Sequence, residues 1–93
     1  MLEAAKTALR ITVPDFDFEI MDLIDAAKLD LGIAGVVLDQ DLDALVKRAV
    51  ITYVRCHFGS PDPQDYDRLK ASYDEQKGQL RSATGYTDWG NDD

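Results

Sequence analysis

The sequence predicts an all-α protein, a small bundle of about four helices at approximately 1–11, 15–31, 41–58 and 63–81 with a flexible C-terminal tail. Three observations carry that expectation. Apolar residues recur at helical spacing in each of the four stretches and do not alternate as they would in a strand. Residues that start or stop helices frame most of them. No two stretches offer themselves as paired strands.

The first helix, within 1–11, has Leu2, Ala5, Ala8 and Leu9 on one side and Glu3 and Lys6 on the other. It is too short to persist without packing. Pro14 closes off the segment that follows, because a proline disfavours helical geometry at the preceding Val13.

The second helix carries Phe16, Ile20, Leu23, Ile24, Ala27 and Leu31 as its stripe. Asp15 is the expected cap, and Asp17 and Glu19 put negative charge in the first turn, where unsatisfied amides point outward. The stretch 32–40, GIAGVVLDQ, has two glycines around an apolar centre. It reads as a loop folded onto the core, a short extended segment being the alternative.

The stretch DLDALVKRAVITYVRCHFG, 41–59, is the expected centre of the fold. Leu42, Leu45, Val46, Ala49, Val50, Tyr53, Val54 and Phe58 form one face, while Asp43, Lys47, Arg48 and Arg55 form the other. Asp39 or Asp41 can cap it, and Gly59 stands where a left-handed residue would close it. Asp62 followed by Pro63 is a strong start for the last helix. Its stripe, Tyr66, Leu69, Tyr73, Gln76 and Leu80, is narrow, which suggests contact with another subunit or partner.

The domain is expected over 1–81, with 82–93 as an acidic and aromatic tail. That tail, SATGYTDWGNDD, has the composition of a flexible segment, yet it holds Tyr86 and the single tryptophan, Trp89. Two readings stand: Trp89 anchors a partner, or it folds back onto its own domain.

Composition limits the function classes. With 93 residues the chain makes one small domain, for which self-association is an expected part of stability. Its 45% hydrophobic and 30% charged residues describe a folding globular protein. A net charge of −8 argues against an ordinary nucleic-acid-binding surface, and no run of basic residues concentrates positive charge. No segment approaches the roughly 20 apolar residues that span a bilayer, and the N-terminus lacks the pattern of a signal peptide. The expectation is a soluble chain, intracellular at synthesis, with no membrane partner.

Chemical sites fare poorly. Asp39, Asp41 and Asp43 begin like a calcium loop, but Ala44 and Val50 stand where that loop needs glycine and glutamate. Asp15, Asp17 and Glu19 fail in the same way at Ile20 and Ala26. Both groups are better explained as helix-start charges. Cys56 and His57 are the only residues of their types, and as helix neighbours they point about 100° apart, which does not suit a nucleophile and base. No phosphate loop, nucleophile elbow or zinc spacing is present. No catalytic, cofactor or metal role is expected.

The order of segments does resemble a known group. LEAAKTALRI, a proline-containing link, DFEIMDLIDAAKLDL, DLDALVKRAVITYVRCHFG and DYDRLKASYDEQKGQLR are similar to the small head-to-tail connector (adaptor) proteins of tailed bacteriophages and prophages. These head-completion proteins are also described as a DNA-packaging group with a terminal Gln-Leu-Arg-Gly signature. The most diagnostic parts are Leu45–Gly59 and Gln79, Leu80, Arg81, with Ser82 in place of the signature glycine.

The resemblance implies a structural virion subunit that assembles into a ring, about a dozen copies, under the portal. Such a ring extends the DNA channel and joins the head to a head-completion or tail-completion protein. Its place is the head–tail junction of the virion, after assembly in the bacterial cytoplasm. DNA would pass without specific binding, and Asp15, Asp17, Glu19, Asp39, Asp41 and Asp43 are the candidates for an acidic, non-adhesive channel wall. Tyr73, Leu80, Arg81, Tyr86 and Trp89 are the candidates for portal docking. A rival reading is an acidic regulatory protein that mimics DNA and occupies a basic partner; it predicts a monomer or dimer whose binding weakens steeply with salt.

Overall fold

The computed structural model describes residues 1–38, 44–59 and 61–82. These form four α-helices, α1 (Leu2–Leu9), α2 (Asp17–Ile33), α3 (Ala44–His57) and α4 (Pro63–Ser82), with a 3₁₀ turn at Pro14–Phe16. The all-α expectation holds, and no strand forms among the described residues.

The helix ends explain where the expected bounds shift. α1 stops early because Arg10 turns left-handed, at φ 60°. Its amide bonds to Thr7 O at 3.1 Å and that of Ile11 to Lys6 O at 2.9 Å, the paired bonds of a Schellman stop. α2 ends the same way two residues beyond expectation: Gly35 is left-handed at φ 96°, Val36 N bonds Leu31 O at 3.0 Å, and both of those side chains are buried.

The expected cap of α2 is corrected. Asp15 sits inside the 3₁₀ turn, and Phe16 holds the capping position with no side-chain bond to the helix. By contrast Asp62 caps α4 as its sequence suggests, Oδ1 accepting from Asp65 N at 3.0 Å, and Gly59 is left-handed at φ 68° beyond the end of α3. Gly32 and Ile33 belong to α2; among the described residues of the proposed loop only Val36 is buried, with Leu38 against the core. The start expected for α3 at Asp41, and Leu42 with it, lies outside the described residues.

α3 and α4 form an antiparallel hairpin, with Tyr53 edge-on to Tyr73 at 5.2 Å and His57 edge-on to Tyr66 at 5.9 Å. α1 and α2 lie on one side of that pair. Val46, Ala49, Val50 and Val54 of α3 meet Ile20, Ile24, Ala27 and Leu31 of α2, Ala5 of α1, and Tyr73 and Leu80 of α4 in a single core. Ala5, Ala27 and Ala49 are wholly buried, and such small side chains let helices approach closely where they cross.

Four residues depart from their expected sides. Lys6 is buried at 7% exposure, its ammonium 2.9 Å from Asp17 Oδ1. Leu45 and Ala8 are exposed, and Phe16 is half-exposed while it meets Phe58 edge-on at 5.6 Å. Thr52, buried, satisfies its hydroxyl on Arg48 O at 2.9 Å within its own helix.

The two left-handed stops differ in one respect: a side chain is strained in either, and only Gly35 avoids it. Arg10→Gly should therefore stabilise the fold by about 0.5–1 kcal/mol, while Gly35→Ala should destabilise it by about 1 kcal/mol. Chemical denaturation read by far-ultraviolet circular dichroism gives both signs; equal effects in one direction would show that the stops do not carry this strain.

Candidate interaction surfaces

The strongest polar cluster joins α2 to α4. Asp30 accepts hydrogen bonds from the Tyr73 hydroxyl and, at 3.2 Å, from Lys77 Nζ, which also lies 5.3 Å from the Tyr73 ring centre. Burial pushes the Asp30 carboxyl up, but the bonds from Tyr73 and Lys77 and the Lys77 charge outweigh it and hold it below the usual carboxylate range. Burial first, and then the bond to Asp30, pushes the Tyr73 phenol far up. Tyr73 stays neutral and donating. The cluster is a structural bracket.

Cys56 and His57 line the same cleft of about 180 Å³ beside that bracket. Cys56 is buried, its sulfur 3.9 Å from Tyr66 O, and burial raises its thiol. His57 is exposed at the surface, with its ring 4.4 Å from Tyr53. A thiol whose ionisation burial disfavours is not an activated nucleophile. Among the described residues no group of three or more His, Cys, Asp or Glu is placed to hold a metal.

The residues singled out for docking separate. Tyr73 and Leu80 are buried in their own core, at 4% and 3% exposure, and offer no surface in this state. Arg81 is exposed and, with Ala34, Gly78 and Ser82, lines a recess of about 490 Å³ where the end of α4 meets the end of α2. Ser82 continues the helix as its last residue. Tyr86 and Trp89 lie outside the described residues.

The acidic candidates separate as well. Asp15 and Glu19 are exposed, whereas Asp17 is engaged by Lys6. Asp39, Asp41 and Asp43 lie outside the described residues.

Two surfaces were not marked by the docking residues. α2 has a second apolar stripe: Phe18 is 91% exposed, Leu29 66% and Ile33 79%, with Met21 beside them. At 3.6 residues per turn Phe18, Leu29 and Ile33 lie about 180° from buried Ile20, Ile24, Ala27 and Leu31, and Met21 about 90° from them. Asp22 and Asp25 are interleaved with them, also exposed.

The other surface is a groove of about 320 Å³ between α3 and α4. Arg48 and Arg55 from α3 and Arg68 from α4 line it, over Ile51, Thr52 and Leu69. Gln76 Oε1, on the same wall, is buried without a hydrogen-bond partner. The signal in the sequence was Arg48 and Arg55 one heptad apart, on one helix face; Arg68 joins them only through the hairpin.

A family model described as "Phage connector protein" matches residues 1–87. Neither the curated proteins nor the solved structures yield a match.

The bracket gives a measurable consequence. Because the folded Asp30 carboxyl is held below its unfolded value of about 3.9, its stabilisation is fully present above that pH and is lost as pH falls through the lower folded value. Tyr73→Phe keeps the ring but removes the donor, so the folded Asp30 value should rise and stability near neutral pH should drop by about 1 kcal/mol, the low end for a bond to a partly exposed charge. Carboxyl NMR titration with parallel urea melts reads both. An unmoved Asp30 titration would remove Tyr73 from the bracket.

Proposed function

The chain belongs to the phage connector protein family, whose model matches residues 1–87, and from that premise we propose that it is a ring-forming subunit that sits under the portal and extends the DNA channel of a phage or prophage head–tail junction. The family match over the four helices carries this reading. Its fold supports it: a domain this small that leaves Phe18, Leu29 and Ile33 in water gains stability from neighbours.

The ring joins the portal to a head-completion or tail-completion protein, and its role is architectural. Docking to the portal is assigned to Arg81 at the end of α4 and to Tyr86 and Trp89 beyond it; Tyr73 and Leu80 contribute by holding that end of α4 on the core. A cationic, exposed Arg81 beside a recess suits capture of a carboxylate or carbonyl on the partner. No helix among the described residues is long and apolar enough to cross a membrane, and the proposed location is the virion.

DNA has to slide through such a ring during packaging and ejection. A wall rich in carboxylates does not bind phosphate and so does not hold the duplex. Asp15, exposed in the 3₁₀ turn, and Glu19, exposed in the first turn of α2, are assigned to that wall together with Asp39, Asp41 and Asp43.

Light scattering of the chain alone and with its portal ring tests the central claim. A ring in either condition is the expected result, and removal of residues 83–93 should weaken its attachment to the portal by at least about tenfold, the loss of one aromatic anchor. A persistent monomer or dimer that ignores the portal would favour an acidic regulator of a basic partner. Independently, phage carrying Asp15→Lys with Glu19→Lys should fill or eject DNA more slowly than wild type; unchanged kinetics would take these two residues off the channel wall.

A further inference from the structure

We propose that copies of this chain associate head to tail, the outward face of α2 on one copy seating in the α3–α4 groove of the next. This deepens the ring reading above and rests on it.

The two surfaces are complementary in chemistry. The α2 face presents apolar Phe18, Leu29 and Ile33 with Asp22 and Asp25 set among them. The groove presents apolar Ile51 and Leu69 beside Thr52, Ser72 and Gln76, with Arg48, Arg55 and Arg68 along it. Neither Asp22, Asp25, Arg48 nor Arg55 has an ion-pair partner among the described residues. Among the described residues Arg68 has a surface pair with Asp65 at 3.3 Å, which an incoming carboxylate can replace. In a chain of net charge −8, three of its ten basic residues converge on this one groove.

The surfaces also lie on opposite sides of the molecule. On α3, Tyr53 and His57 face the cleft that holds Asp30 of α2, while Arg48, Ile51 and Arg55 line the groove. At 3.6 residues per turn those two sets are about 180° apart. α2 therefore covers one side of the α3–α4 pair, and the groove runs along the other. A contact between opposite, unlike surfaces repeats from copy to copy, and closes into a ring when its rotation permits.

Charge selects this pairing over its competitors. Two α2 faces brought together would oppose Asp22 and Asp25 with themselves, and two grooves would oppose arginines with arginines. An exposed helix with apolar residues at i, i+11 and i+15 needs a groove with apolar side chains in it. Thr52, Ser72 and Gln76 line the groove beside its arginines, so duplex DNA is the competing occupant that the test includes.

The test is a charge exchange in the full chain, read by sedimentation velocity with and without the portal ring. Asp22→Arg with Asp25→Arg, and separately Arg48→Asp with Arg55→Asp, should each weaken self-association roughly a hundredfold. Mixed together, the two variants should assemble again, since each supplies the charge the other's surface now needs. All four residues are exposed, so circular dichroism should show native helix content; Leu29→Glu is the independent apolar variant and should also block assembly.

Assembly of the wild type that none of these variants alters would overturn the surface assignment and leave the ring reading standing. Loss with the α2 variant alone, the groove variant assembling normally, would also overturn it, in favour of an α2-to-α2 contact. Duplex DNA bound by the wild type and released by the groove variant, with assembly intact, would give the groove to nucleic acid. A wild type that stays monomeric with and without the portal would sink both readings.

Discussion

Covering α3 is the constraint from which the rest of this structure follows. Its stripe, Val46, Ala49, Val50 and Val54, is buried almost completely, and each valine so removed from water contributes about 1.5–3 kcal/mol. A single neighbouring helix covers only one flank of it. α4 folds back along one flank through the turn at Gly59 and Asp62, while α1 and α2 close the other. The alanines at positions 5, 27 and 49 set how closely those helices approach.

Apolar packing alone leaves several helix registers close in energy, and two polar brackets choose among them. Lys6 reaches Asp17 and fixes α1 on the start of α2; Asp30 takes Tyr73 and Lys77 and fixes the end of α2 on α4. Neither bracket adds much net stability, because desolvation of the charges offsets most of their attraction. Their worth lies in direction, since a shifted helix would leave a buried ammonium or hydroxyl unpaired. The same arrangement consumes Asp17 and Tyr73, two residues whose chemistry alone would suit an outward role.

Much of the fold was legible because helical period, Asp62–Pro63 and Gly59 all speak locally. What was illegible depended on contacts distant in sequence. Lys6 reads as a solvent-facing charge until Asp17 is brought over it, and Tyr73 reads as a docking aromatic until Asp30, 43 residues away, receives its hydroxyl. Arg10 carries no sign of a left-handed stop, since glycine is the usual occupant. On α2 a search for one apolar stripe finds Ile20, Ile24, Ala27 and Leu31 and is satisfied. The second stripe, interrupted by Asp22 and Asp25, looks like an ordinary solvated face until exposure is measured.

That double stripe has a consequence for how the protein can change. An ordinary surface helix has one side that selection leaves nearly free, where substitutions drift at little cost. In α2 the inward side is committed to the core and the outward side exposes large apolar residues between acids. An added apolar residue outside would tip the free chain toward aggregation, and an added polar one inside would unseat it from α3. Tolerance to mutation should thus be concentrated in the exposed flank of α4 away from the groove, and α2 should be as little able to vary as the central α3.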